Sequence, residues 1–169
     1  MEKLIIKKSN ALQGSIVISG SKNAALPIMA ASLLSKKQCS FYNIPNLADV
    51  STMVTLLSNL GVVCKKVSNG VILNANKLNN FRADYDLVRK MRASILVLGP
   101  LISRKGKAVI SLPGGCAIGN RPIDLHLFGL KKMGAKINIK DGYIFAEAKD
   151  KLKGSHIILP SISVGATEN

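Results

Sequence analysis

The sequence repeats itself with a period of about seventy residues, and a unit of that length holds one supersecondary motif that buries its apolar face only by stacking on its neighbours. In the first copy Leu34-Ser35-Lys36-Lys37 precedes a β-rich run ending at Pro45, then Leu56-Leu57-Ser58-Asn59-Leu60-Gly61. In the second, Ile102-Ser103-Arg104-Lys105 precedes a β-rich run ending at Pro113, then Gly129-Leu130-Lys131-Lys132-Met133-Gly134. Asn69-Gly70-Val71-Ile72 is answered by Asp141-Gly142-Tyr143-Ile144. Pro45 and Gly61 are 16 positions apart, Pro113 and Gly134 are 21, so the second copy is five residues longer, and the excess falls in the loop from Gly114 to Asn120. A duplicated scaffold enlarged at one loop has its specialisation there. Leu12-Gln13-Gly14-Ser15 recurs 140 positions later as Leu152-Lys153-Gly154-Ser155, which marks the opening of a third copy. This arithmetic predicts the N-terminal part of a longer protein, with a strand at residues 156–159 and a turn at 161–165 into a helix that the sequence does not complete.

Each copy reads in the order βαβαββ. In the first, strands are predicted at residues 15–19, 38–43, 62–66 and 71–75. Helices are predicted at 22–34 and from an Asp49 N-cap to Leu60, stopped by Gly61. In the second, Phe81 to Arg92 fills the opening slot loosely. Helices then follow at 91–103 and 122–133, with strands at 107–112, 136–139 and 143–146. Pro122 suits a first helical turn, and Gly99-Pro100 is expected to kink the earlier helix. Buried helices and strands of mixed direction define an α/β fold without a GxGxxG or Walker pattern.

A chain of 169 residues, 47% hydrophobic, can bury a core. Its longest apolar runs, 24–34 and 95–102, are too short for a bilayer, and residues 1–8 turn charged again after three apolar positions, unlike a secretory leader. Cys39, Cys64 and Cys116 lack metal-ligand spacing and cannot all pair, so they form no metal site and a reducing cytoplasm is the simplest compartment; no cofactor is expected. The net charge of +15 is scattered as Lys doublets, and aromatics are 4% of the chain. That pattern fits a solvated lysine-rich surface and anionic ligands better than nucleic-acid binding.

Chemistry concentrates in Pro113-Gly114-Gly115-Cys116-Ala117-Ile118-Gly119-Asn120-Arg121-Pro122, where glycines present a thiol beside a fixed cation that favours thiolate. A second concentration lies at repeat-equivalent helix starts: Ser21-Lys22-Asn23, Arg92, and Ser163-Val164-Gly165. Helix N-termini attract anions, and with Lys22, Arg92 and Arg121 nearby the expected ligand carries phosphates.

Taken together, Gly20-Ser21-Lys22-Asn23-Ala24-Ala25-Leu26-Pro27, Met91-Arg92-Ala93-Ser94, Leu112-Pro113-Gly114-Gly115-Cys116, Arg121-Pro122-Ile123-Asp124-Leu125-His126 and Ser163-Val164-Gly165-Ala166-Thr167 resemble the UDP-N-acetylglucosamine 1-carboxyvinyltransferase family. The resemblance covers essentially the whole chain. It implies an inside-out α/β barrel built from βαβαββ repeats, of which two complete units and the start of a third are present. It places residues 1–11 as a strand pairing with the missing second domain, and residues 12–169 as a truncated transferase domain with repeats at about 12–81, 82–151 and 152–169.

The implied activity is transfer of the enolpyruvyl group of phosphoenolpyruvate to the 3′-hydroxyl of UDP-N-acetylglucosamine, the first committed step toward peptidoglycan. By the same resemblance Cys116 is the proton donor and the target of fosfomycin, and Lys22 and Asn23 contact phosphoenolpyruvate. Arg92, Arg121, Pro122, Ile123, Asp124, Leu125, Ser161, Ile162, Ser163 and Val164 hold the nucleotide sugar. Relatives often carry Lys where this chain has Ser161, and a hydroxyl cannot supply that cation. The implied partners are the two substrates and the C-terminal half of the enzyme, with no nucleic acid and no membrane. Two alternatives are carried forward: an enolpyruvylshikimate-phosphate synthase-like enzyme, whose family lacks the Gly-Gly-Cys loop, and a noncatalytic nucleotide-sugar-binding remnant.

Overall fold

The computed structural model describes residues 3–8, 10–112 and 123–169, and in it two sheets and their helices share one apolar core. The first unit contains α1 (Lys22–Ala31), a 3₁₀ turn (Ser32–Leu34), β1 (Gln38–Tyr42), α2 (Ala48–Asn59), β2 (Val63–Val67) and β3 (Gly70–Asn74). The second contains β4 (Arg82–Ala83), α3 (Tyr85–Val88), a 3₁₀ helix (Arg92–Val97), α4 (Leu98–Lys105), β5 (Lys107–Ser111), α5 (Asp124–Lys132), β6 (Lys136–Lys140) and β7 (Tyr143–Glu147). A short α6 (Val164–Glu168) follows.

The sheets run β1-β3-β2 and β4-β5-β7-β6, antiparallel except for the parallel β4–β5 pair. Their registers superpose. Val63 faces Asn74 and Lys136 faces Glu147, two pairs displaced by the same 73 positions. The helix stops coincide as well: Gly61 and Gly134 both have φ +96°, a conformation closed to most L-residues. Around them Val62 N–H donates to the Leu57 carbonyl and Ala135 N–H to the Leu130 carbonyl, each at 3.0 Å. The internal repeat is therefore a repeat of backbone geometry.

Helix 22–34 is observed as α1 plus its 3₁₀ turn, because Pro27 removes one amide donor yet Leu26, Met29, Ala30 and Leu33 still bury one face. Gly99-Pro100 marks a change of helix type. Pro100 falls in the first turn of α4, where its missing donor is tolerated, and the preceding residues tighten to 3₁₀. Leu33, Leu57, Leu101 and Ile110 are fully buried. Each such side chain contributes about 1.5–3 kcal/mol, against about 0–1 kcal/mol for an exposed ion pair, so packing and not surface charge holds the units together.

Four sequence expectations are corrected. Residues 15–19 form no strand: Ile16, Val17 and Ile18 are 86%, 97% and 77% exposed, since alternation supplies an apolar face but not the paired edge a strand requires. The first unit thus lacks its opening strand, and the full βαβαββ order is present in the second unit alone. Residues 156–159 likewise form no strand, with Ile158 76% exposed. The third helix does form, as α6. Asp49 is the second residue of α2 and not its cap; Leu47 holds the N-cap position without a side-chain bond, and the Asp49 carboxylate is bonded to Lys22 instead. Residues 3–8 are exposed and carry no strand pairing.

Candidate functional site

Backbone constraint sets the start of α1. A Cβ on Gly20 would lie 1.7 Å from the carbonyl oxygen of Asn43, so only glycine lets the chain pass the end of β1 and turn into Ser21-Lys22. Lys22, the first helical residue, places Nζ 2.7 Å from Asp49 Oδ2, with both side chains about a third or more exposed. An exposed pair of this kind adds little stability, so Lys22 can exchange Asp49 for a more highly charged anion. Asn23 is exposed beside it, and Pro27 has no amide to bond the Asn23 carbonyl.

Arg92 opens the 3₁₀ helix after Met91, whose carbonyl accepts the buried Ser94 hydroxyl at 2.6 Å. Met91 (φ −148°, ψ 112°) and Ser163 (φ −149°, ψ 110°) have the same conformation at the heads of their helices, which supports the equivalence of the second and third copies. At α6 the Ser163 side chain accepts the Ala166 amide at 3.2 Å, a capping bond that accounts for one of its lone pairs. Ser161, Ile162, Ser163 and Val164 together line one shallow groove of about 690 Å³ with Ile157 and Glu168. Ile162 and Val164 are exposed, and so is Ser161.

His126 joins these segments, although sequence reasoning gave it no role. Burial lowers the pKa of its ring first, the Arg92 charge lowers it further, and Asp124 opposes both. Arg92 and Asp124 are thereby placed in one electrostatic neighbourhood, next to α6, which packs on α5. Asp124 begins α5 and is exposed, Ile123 is its half-buried N-cap, and Leu125 is half-buried. Lys22 belongs to the neighbouring α1, which packs against the 3₁₀ helix of Arg92, but its ion pair is with Asp49. Cys116, Arg121 and Pro122 lie outside the described residues, as does the whole glycine loop.

Cys39 and Cys64 are half-buried on β1 and β2. Burial pushes the Cys64 thiol up, and a hydrogen bond with Ser58 offsets part of that. Among the described residues no cluster of three or more His, Cys, Asp or Glu could hold a metal ion, and no helix is long and apolar enough to cross a membrane. Of the acidic residues, Asp49, Asp84 and Asp86 are paired with Lys22, Arg82 and Arg89, and Asp141 occupies a turn at φ +51°.

An α/β chain with one antiparallel sheet, one mixed sheet and polar helix starts has counterparts among solved structures. The enolpyruvyl transferase NikO from Streptomyces tendae superposes with a TM-score of 0.71 at 20% identity, over 85% of this chain and 32% of that one. EPSP synthase from Acinetobacter baumannii superposes at 0.65 and 18% identity, over 92% and 36%. The class defined is that of the enolpyruvyl transferase fold. The EPSP synthase (3-phosphoshikimate 1-carboxyvinyltransferase) family matches residues 6–169, and the chain belongs to that family.

Within it, UDP-N-acetylglucosamine 1-carboxyvinyltransferase of Campylobacter fetus is 56% identical over 169 residues, all of this chain and 40% of that protein. The enzymes of the same description from Pseudoalteromonas atlantica and Rickettsia prowazekii are 55% and 56% identical over all of this chain and 41% of theirs. The chain thus spans about two fifths of the length of the curated relatives it matches.

Proposed function

We propose that this chain forms the part of a cytoplasmic UDP-N-acetylglucosamine 1-carboxyvinyltransferase that binds both substrates and presents the acid cysteine. The observation that carries this reading is identity of 55–56% along the entire chain to proteins of that description, in a sequence that contains Lys22-Asn23, Arg92, the Gly-Gly-Cys116 motif and Ser163-Val164. Solved structures at 18–20% identity share the fold of the synthase alternative, but the cysteine loop favours the aminosugar enzyme. The complete fold would be an inside-out barrel of βαβαββ units, with residues 1–11 pairing against a second domain and 12–169 forming most of the first.

The chemistry is addition followed by elimination. The sugar 3′-oxygen bonds to C2 of phosphoenolpyruvate as its proton passes to a base, while Cys116 donates a proton to C3. Loss of a C3 proton then restores the double bond, the C2–O bond breaks, and phosphate leaves. Lys22 and Asn23 meet the phosphate and carboxylate, where charge-assisted hydrogen bonds are strong. Arg92, Arg121, Pro122, Ile123, Asp124, Leu125 and residues 161–164 hold the nucleotide sugar. A noncatalytic role is the second reading, because Asp49, Asp84 and Asp86 are ion-paired, Asp141 occupies a turn and Asp124 is assigned to the sugar.

Two measurements test the assignment. With limiting alkylating agent, Cys116 is expected to be modified before Cys39 and Cys64, since half-burial and a raised pKa reduce thiolate at Cys64; preferential labelling of a strand cysteine would count against it. In calorimetry, Lys22→Ala and Arg92→Ala are each expected to weaken binding of phosphoenolpyruvate or UDP-N-acetylglucosamine by about 1.5–3 kcal/mol, the range for hydrogen bonds to charged groups. Unchanged affinities would remove both residues from the site.

A further inference from the structure

The side-chain amide of Asn169 is held from three directions. Its Oδ1 accepts the backbone N–H of Gly99 at 2.9 Å, and its Nδ2 faces the Ile95 carbonyl at 3.4 Å and His126 Nδ1 at 2.9 Å. A backbone N–H only donates and a backbone carbonyl only accepts, so the amide cannot be turned over and its NH₂ must point at His126. Nδ1 therefore accepts, the single ring proton sits on Nε2, and an imidazolium would set donor against donor.

The surroundings fit a neutral ring. A cavity of about 220 Å³ beside it is lined by Leu130, Met133, Ile157, Leu159 and Ala166 among others, with His126 the one titratable side chain in that wall among the described residues. The charged groups that face the ring from the packed elements are Arg92, on the 3₁₀ helix, and Asp124, on its own helix. Close packing constrains Gly99, where a Cβ would lie 2.2 Å from the Asn169 carbonyl oxygen, whereas one on Gly165 would make only ordinary contact with His126 Cε1 at 3.5 Å.

We propose that His126, as the neutral Nε2–H tautomer, is a positioning residue that acts through Asn169 to lock α6, headed by Ser163, against the 3₁₀ helix headed by Arg92. The lock thereby sets the spacing of nucleotide-sugar contacts contributed by chain segments about seventy residues apart. This role rests on the reading of Arg92 and Ser163 given above; the lock itself is independent of any ligand. The sign of the pH dependence follows from the depressed pKa. The unfolded chain binds the proton more readily than the native one, so the stabilisation is present above about pH 6.5 and is lost as pH falls below it.

The test is ring-nitrogen NMR of the 169-residue chain, with the backbone amides of Arg92 and Val164 followed through the same titration. His126 is expected to show an unprotonated Nδ1 and a midpoint below the ordinary histidine value of 6.5, with both amides moving at the His126 midpoint. Asn169→Asp puts an acceptor opposite Nδ1 and should carry the His126 midpoint above that of the parent, the amide movements following it. His126→Asn, whose Oδ1 replaces the Nδ1 acceptor but does not titrate, should abolish the pH response of the amides and of UDP-N-acetylglucosamine affinity alike. Between about pH 7.5 and 5.5 the parent should lose affinity several-fold relative to the Asn169→Asp variant. A His126 that titrates at or above the ordinary histidine value, or amides indifferent to it, overturns the lock. Binding with identical pH profiles in parent and variant overturns the positioning role alone, and absence of binding by the parent at every pH overturns the nucleotide-sugar reading on which that role rests.

Discussion

Cys116→Ser, introduced into this chain joined to the remaining segment of its Campylobacter fetus relative, is expected to lower turnover by about a hundred- to ten-thousandfold, with substrate affinities little changed. The range is that of general acid–base assistance, and serine is the stringent choice because it preserves size and hydrogen bonding while removing an acid of suitable pKa. Addition requires a proton at C3 of phosphoenolpyruvate as the carbon–oxygen bond forms, so the loss should appear in kcat and kcat/KM alike. The measurement is steady-state phosphate release together with calorimetric affinity for each substrate. A variant retaining more than about a tenth of parental kcat would assign the proton to another group.

Arg104→Met is expected to destabilise the fold by about 2–4 kcal/mol, a large fraction of the stability of a chain this size. The guanidinium donates from Nη1 to the carbonyls of Leu33 at 2.7 Å and Ser35 at 2.8 Å, and from Nη2 to that of Ala75 at 3.1 Å. It thus sews the second unit to two separate ends in the first. Methionine keeps most of the aliphatic stem and leaves three part-buried carbonyls without their charged donor. The position aligned with Arg104 in the first copy is Lys36, and a lysine ammonium cannot present the planar fork that reaches three carbonyls. Arg104→Lys should accordingly recover only part of the loss. Chemical denaturation checks this, and a midpoint within error of the parent's for Arg104→Met would show the three bonds to be of no net value.

Most helices and hairpin strands were legible because each carries its own periodicity and its own stop. Gly61 and Gly134 end their helices at positive φ, and β2–β3 and β6–β7 are local pairings whose register follows from short turns. Residues 15–19 and 156–159 show the limit of that reasoning, since a strand is a relation between two segments and alternation in one of them does not supply the other. Asp49 failed for a related reason. Its position suited a cap, but a lysine 27 positions earlier, brought close by helix packing, took the carboxylate.

Of the candidate site, Lys22, Arg92, Asp124 and Ser163 were visible because they recur at helix starts or lie in a dense motif. His126 and Asn169 were not. Their importance depends on an amide oriented by Gly99 and Ile95, residues 70 and 74 positions away, and no local pattern encodes that. Arg104 left a trace in the Lys36-to-Arg104 difference between copies, readable only once its three carbonyl acceptors are seen.

The most direct test of the account is phosphate release from phosphoenolpyruvate by the 169-residue chain, alone and joined to the remaining segment of the Campylobacter fetus relative, with UDP-N-acetylglucosamine or shikimate 3-phosphate as acceptor. The chain alone spans two fifths of the length of its relatives, so no turnover is expected from it. The joined protein is expected to release phosphate only with UDP-N-acetylglucosamine, and to stop doing so in the Cys116→Ser variant. Release with shikimate 3-phosphate, or folded joined protein that binds UDP-N-acetylglucosamine without releasing phosphate, would contradict the proposed transferase.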